Sequence, residues 1–240
     1  MSTPESRANQ YTVPATFEPT ETLLEIKRSE FYGFVKRVES EADARAFIES
    51  LRKQFHDARH VCSAFIIGAD RDIQRSSDDG EPAGTAGIPM LQALLSRRTS
   101  PLLGAEADLA DESTDLSDVC AVVVRYFGGI KLGAGGLVRA YTDAVVQTLE
   151  ATALCSRQRL RLGAIALPHA EAGKFENNVR ALGYTVLGTE YESTHATVHL
   201  GVFDAQDQQN QAQEHVAELT AGQSTIEWSG TEWVDIPLHQ

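Results

Sequence analysis

"RYFGGIKLGAGGL", residues Arg125–Leu137, places five glycines between Gly128 and Gly136, directly after an apolar run and directly before a helical pattern. Glycine loses more conformational freedom on folding than any other residue, so such a cluster needs a physical reason. Two reasons compete. Missing side chains let a helix pack closely on a sheet, or they leave backbone N–H groups open to something from outside. Close packing alone rarely needs five glycines in nine residues, and the second reading is preferred.

The flanks define the local architecture. Upstream, "VCAVVV", residues 119–124, is a β-branched run suited to a central strand. Downstream, "LVRAYTDAVVQTLEATAL" places Leu137, Tyr141, Ala144, Val145 and Leu149 on one helical face. Strand, glycine turn and helix N-terminus together form an anion site, because unpaired N–H groups converge where the helix dipole favours negative charge. The nucleotide fingerprints fail. A Walker A loop ends in Gly-Lys-Ser/Thr, whereas Gly133 is followed by Ala134 and Gly135; a Gly-x-Gly-x-x-Gly starting at Gly133 needs glycine where Val138 stands. What remains is a glycine turn flanked by Arg125, Lys131 and Arg139, with Tyr126 and Phe127 available for stacking or for the core.

A second segment, "RSSDDGEPAGTAG" from Arg75 to Gly87, gathers Asp78, Asp79 and Glu81 around a turn set by Gly80 and Pro82. Three carboxylates in one loop suit a hard cation or a general base. The plainer reading, preferred for any one of them, is that Asp78 and Asp79 satisfy turn amides and cap the next helix while Glu81 pairs with an arginine. No calcium-loop spacing is matched, so no metal is expected. His60 opens the strand "HVCSAFIIG"; His195 and His199 share a strand face without a third ligand. GxSxG, HExxH and deaminase patterns are absent.

A chain of 240 residues with 42% apolar content is expected to fill two cores. The net charge of -13 is shared evenly, -7 over residues 1–156 and -6 over the rest. Binding a polyanion therefore needs a local basic patch. Cys62, Cys120 and Cys155 make no CxxC or zinc spacing; Cys62 and Cys120, inside strand-like apolar runs, are read as buried, reduced thiols, which fits a cytoplasmic protein. No signal sequence or membrane span is expected.

Along the chain, residues 1–17 are read as a mobile lead-in and 18–155 as the first domain. "EADARAFIESLRKQF" and "IPMLQALLSRR" are helices, residues 69–87 a polar stretch, and 99–118 an acidic surface loop. Residues 157–240 run strand, helix, strand, strand, helix, strand, the order of a ferredoxin-like βαββαβ domain.

Taken together, "SSDDGEPAGTAG" and "VVVRYFGGIKLGAGGLVRAY", with "HDARHVCSAFIIG" before them, resemble the IMPACT/YigZ family. The resemblance is strong over roughly residues 18–150, and residues 157–236 look like the C-terminal domain of bacterial members. It implies an α+β protein whose N-terminal domain is an α/β sandwich like domain 2 of ribosomal protein S5. A C-terminal ferredoxin-like domain would follow. It further implies a non-catalytic, cytoplasmic binding protein linked to translation or its regulation, without a cofactor. Its partner would be the translation machinery, a regulatory protein or RNA, with the chain a monomer or dimer. The residues it singles out are His60, Arg75, Ser77, Asp78, Asp79, Glu81, Arg125, Tyr126, Lys131 and Arg139, with Gly128, Gly129, Gly133, Gly135 and Gly136 shaping the loop. The alternative is a metal-assisted enzyme acting on a phosphorylated small molecule or nucleotide, with His60, Asp79 or Glu81 supplying acid-base chemistry.

Overall fold

The computed structural model describes residues 6–98 and 114–238. The chain forms two compact units, residues 1–157 joined by 235–240, and residues 158–234. It is an α+β protein.

In the first unit, β2 (Thr20–Ile26), β3 (Ser29–Arg37), β6 (Val119–Tyr126), β4 (His60–Ile67) and β5 (Ile73–Ser77) form one sheet in that order, with every pair antiparallel. The central position of β6 explains its unbroken apolar run. Val119, Ala121 and Val123 enter one core with α2 (Gly87–Leu95) and α3 (Ala134–Ala151). Cys120, Val122 and Val124 enter another with α1 (Glu41–Gln54). Both sheet faces are covered, so alternation between apolar and polar disappears. Each fully buried valine contributes about 1.5–3 kcal/mol relative to exposure. Helix α1 starts where its N-cap predicts, with the Ser40 hydroxyl accepting from the Asp43 N–H at 3.1 Å.

Three segments depart from the sequence expectation. Residues Gln10–Pro14, placed in the mobile lead-in, form β1, with Tyr11 and Val13 buried and the Tyr11 hydroxyl donating to Asp118 at 2.7 Å. Within the polar stretch, Ile73–Ser77 form the edge strand β5; most of its residues face water, so apolar periodicity could not betray it. Most of the acidic loop, 99–113, lies outside the described residues, as do residues 1–5 of the lead-in. Leu116, Ser117 and Asp118 at the loop's end are buried rather than solvated. Asp118 accepts from the Gly68 N–H at 2.8 Å, and Ser117 N–H donates to the Thr12 carbonyl.

The second unit contains most of β7 (Leu154–Leu167), then α4 (His169–Ala181), β8 (Thr185–Tyr191), β9 (Ala196–Phe203), α5 (Gln206–Leu219) and most of β10 (Glu227–Pro237). The strands lie in the order β10, β7, β9, β8, as in a ferredoxin-like sheet. Phe175 and Val179 of α4 and Ala212 and Val216 of α5 share one core with Ile165, Val198 and Leu200.

The boundary follows an ion cluster within the first unit. The Arg37 side chain is 1% exposed and donates to both oxygens of Asp235, at 2.6 and 3.2 Å, and to Glu39 at 2.9 Å. Arg157 contacts the same two carboxylates at 3.1 Å. Asp235 therefore groups with residues 1–157, although the sequence reading ran the second domain to residue 240. Replacing Arg37 with methionine is expected to cost about 1–2 kcal/mol, because the half-exposed carboxylates of Glu39 and Asp235 lose charge-assisted hydrogen bonds but keep Arg157. Hydrogen exchange should show protection falling first around residues 235–237. Lysine should rescue only part of the loss, lacking the planar fork.

Candidate functional site

The carboxylate loop and the glycine loop meet at one buried oxygen. Glu81 Oε1 accepts from Arg125 at 2.6 Å and from the Tyr141 hydroxyl at 2.8 Å, with the Glu81 and Arg125 side chains 4% and 7% exposed. Arg125 ends β6 and Tyr141 lies in the second turn of α3. Both ends of the glycine segment are thus tied to the same atom. The Arg125 guanidinium also lies 5.4 and 5.6 Å from the Phe31 and Phe127 rings, within cation–π range. Burial and the neighbouring Cys62 and Glu81 drive the Tyr141 hydroxyl far above its ordinary pKa, keeping it a donor. Burial likewise pushes the Cys62 thiol up to about 12, so it is no nucleophile at neutral pH.

The other carboxylates are internally engaged as well. Asp78 accepts the N–H groups of Gly84, Ala86 and Gly87 at 2.8–3.0 Å, capping α2 from outside the helix. Burial works against its charge, but these three donors outweigh it and hold the carboxyl below its ordinary range. Asp79 has a left-handed backbone, φ 42°, and accepts from Arg52 at 2.8 Å and from the Val61 N–H at 2.7 Å. His60 Nδ1 donates to the Asp79 carbonyl at 2.9 Å. Among the described residues, no group of three His, Cys, Asp or Glu side chains is placed to hold a metal ion.

The five glycines divide by cause. A Cβ on Gly128 would fall 1.9 Å from the Arg28 carbonyl oxygen, so that position is dictated by close backbone approach. Its N–H donates to the Ser29 hydroxyl at 3.1 Å. Gly129 and Gly133 have φ of +86° and +74°. A Cβ on Gly136 would fall 3.0 Å from the Leu132 Cβ, tighter than ordinary contact. Gly135 answers to none of these. It sits in the first turn of α3 with ordinary helical φ and nothing within 4 Å, where alanine would favour the helix by about 1 kcal/mol. Helix α3 has no side-chain cap and no acidic residue in its first turn.

Around this loop the exposed side chains are mixed. Phe127 and Ile130 are 50% and 43% exposed, and Lys131 and Arg139 are exposed without an ion-pair partner among the described residues. The approach of Gly128 to Arg28 brings a further pair of exposed cations alongside. Lys27 and Arg28 form the two-residue turn of the β2–β3 hairpin, both with positive φ.

Comparison with known proteins matches this architecture. The Impact N-terminal domain model covers residues 27–103 and 110–149, and a domain of unknown function, DUF1949, covers 165–223. IMPACT family member YvyE of Bacillus subtilis is 37% identical over 209 residues, 87% of each chain. The chain belongs to the IMPACT family. YigZ of Escherichia coli, another member, is 42% identical over 139 residues, 57% of this chain and 59% of its own. One solved crystal structure, described as that of a hypothetical protein, superposes with a TM-score of 0.55 at 28% identity, covering 93% of this chain and 98% of that one. Membership suggests a regulatory or translation-linked role.

In this IMPACT family protein, not every residue singled out from the sequence faces outward. Arg125, expected among the loop's cations, is spent on Glu81. Asp78, Asp79 and Glu81 are spent on capping, a strained turn and a buried pair. Tyr126 donates to Asp57 at 2.7 Å, which pushes its phenol up to about 12. Arg75 and Ser77 lie exposed on β5. Lys27 and Arg28 are not among the residues singled out from the sequence; only the backbone packing at Gly128 reveals their proximity to the loop.

Two outcomes follow. Glu81→Leu should cost about 3–5 kcal/mol by stranding the Arg125 charge, whereas Glu81→Leu combined with Arg125→Met should recover much of it. Amide exchange in β4 and β6 measures both. For Asp78, whose folded pKa is lowered, stabilisation is complete above the unfolded value of 3.8 and is lost as pH falls below it through the folded pKa. Asp78→Asn should remove that acid-limb dependence and cost about 1–2 kcal/mol in an acid-titration melt.

Proposed function

We propose that the protein is a non-catalytic binding protein acting in translation or its regulation, and that the β6–α3 glycine loop is its contact surface. Gly135 carries this reading. Its missing side chain serves no packing or dihedral need in the fold, and it lies in the first turn of α3, where the N–H groups have no intrahelical acceptor. Those donors, with the helix dipole, favour a negative group such as an RNA phosphate or a carboxylate of an acidic protein surface. Lys27, Arg28, Lys131 and Arg139 supply local positive charge that the chain's overall field lacks. Exposed Phe127 and Ile130 favour a macromolecular partner over a free small anion, since they offer apolar area that such an anion cannot cover.

The experiment is binding to ribosomes and to RNA across a salt series. Lys131→Ala should weaken association and flatten the log–log salt slope by about 0.9 on duplex or 0.7 on single strands. Gly135→Ala should raise or preserve thermal stability while weakening association. A partner gripping an acidic protein face instead would leave RNA binding absent but keep the Lys131 effect on ribosomes. No association with ribosomes, RNA or cytosolic proteins at low salt and micromolar protein overturns the proposal.

A further inference from the structure

Helices α2 and α3 cover the same face of the first sheet, and between them runs an open groove of about 620 Å³. Its apolar lining is unusually open to solvent: Ile88 is 55% exposed, Val138 38% and Val146 37%. On α3, Val138, Thr142 and Val146 recur every fourth residue and Leu149 extends the same stripe, a run of about 16 Å at helical rise. Three turns of a facing helix would match that length. Among the described residues, the only charged side chains lining the groove are Arg97 and Arg98, and no carboxylate lines it. Arg97 is half-buried, and its Nε is enclosed without a hydrogen-bond partner among the described residues. A buried, unsatisfied guanidinium donor is costly unless something supplies an acceptor.

We propose that this groove docks an amphipathic helix of a partner protein, its apolar face on Ile88, Val138 and Val146 and a carboxylate on Arg97. The fit is one of shape and charge. An apolar stripe accepts residues spaced three and four apart, and arginine side chains at its edge, with no carboxylate among the described lining residues, select an acidic residue beside that stripe. The groove offers no free strand edge, so an extended peptide gains no backbone pairing there. This surface is independent of the glycine loop.

Replacing Thr142, in the groove floor, with the photocrosslinker benzoylphenylalanine in the full-length protein tests it inside the cells that make it. Mass spectrometry should identify a cross-linked peptide from another protein, with apolar residues three and four apart and an Asp or Glu beside them. Arg97→Glu should reduce the adduct about tenfold, a charge-assisted hydrogen bond being lost. Val146→Asp should abolish it, and Lys131→Ala should leave it unchanged, separating this surface from the loop. Circular dichroism confirms that each variant folds. Adducts only to residues 99–113 of the same chain, only to a second copy, or only to basic or non-amphipathic sequences would overturn the proposal, as would the absence of any adduct.

Discussion

Glu81 and Arg125 face each other at 2.6 Å in a region where neither reaches water, and Tyr141 donates to the same carboxylate oxygen. Burying two opposite charges is unfavourable unless their geometry is good and their remaining groups are bonded, so the pair imposes strict placement on the elements that carry it. Those elements are the carboxylate loop, the end of β6 and the second turn of α3. Eight residues, 126–133, leave β6 and enter α3 between two anchors on one atom, and Gly128 is pinned midway against the β2–β3 turn. A segment this rich in glycine would otherwise sample many conformations. Anchored at both ends and at Gly128, it has far fewer conformations open to it, and the cost of ordering it is met by folding.

The same geometry explains what the sequence could disclose. Residues 119–124 read as a buried strand because a central strand covered on both faces needs apolar residues throughout. The α1 helix was equally legible, with its Ser40 cap and its acidic first and basic last turns. The order of elements after residue 157 carried the second fold directly. Strand β5 was hidden because an exposed edge strand has no core face to mark it, and β1 because its five residues include Pro14 and are buried by long-range contacts such as Tyr11 to Asp118.

At the site, residue chemistry was legible and partnership was not. Three carboxylates and three cations were visible as types, but Arg125 and Glu81 are 44 positions apart and only the β4–β6 register, which sets His60 opposite Arg125, brings their loops together. Their mutual cancellation removes one charge from the surface that composition assigned to it. Lys27 and Arg28 replace it through a contact about 100 positions away in the chain. No local pattern encodes that contact, because it depends on a backbone oxygen meeting a glycine.

Helix termini distinguish the glycine loop from the rest of the structure. Ser40 caps α1, Asp78 caps α2 from a distance, and α4 and α5 carry Glu171 and Asp207 in their first turns. Each of those helices thus has an oxygen or a negative charge of its own at its positive end. Helix α3, the longest of the five described, begins with Ala134, Gly135 and Gly136 and has neither. An internal carboxylate was close at hand in Glu81, yet it is committed to Arg125 and Tyr141. The chain therefore spends its local acidic groups on rigidity and leaves the first turn of α3 without a side-chain cap or an acidic residue of its own.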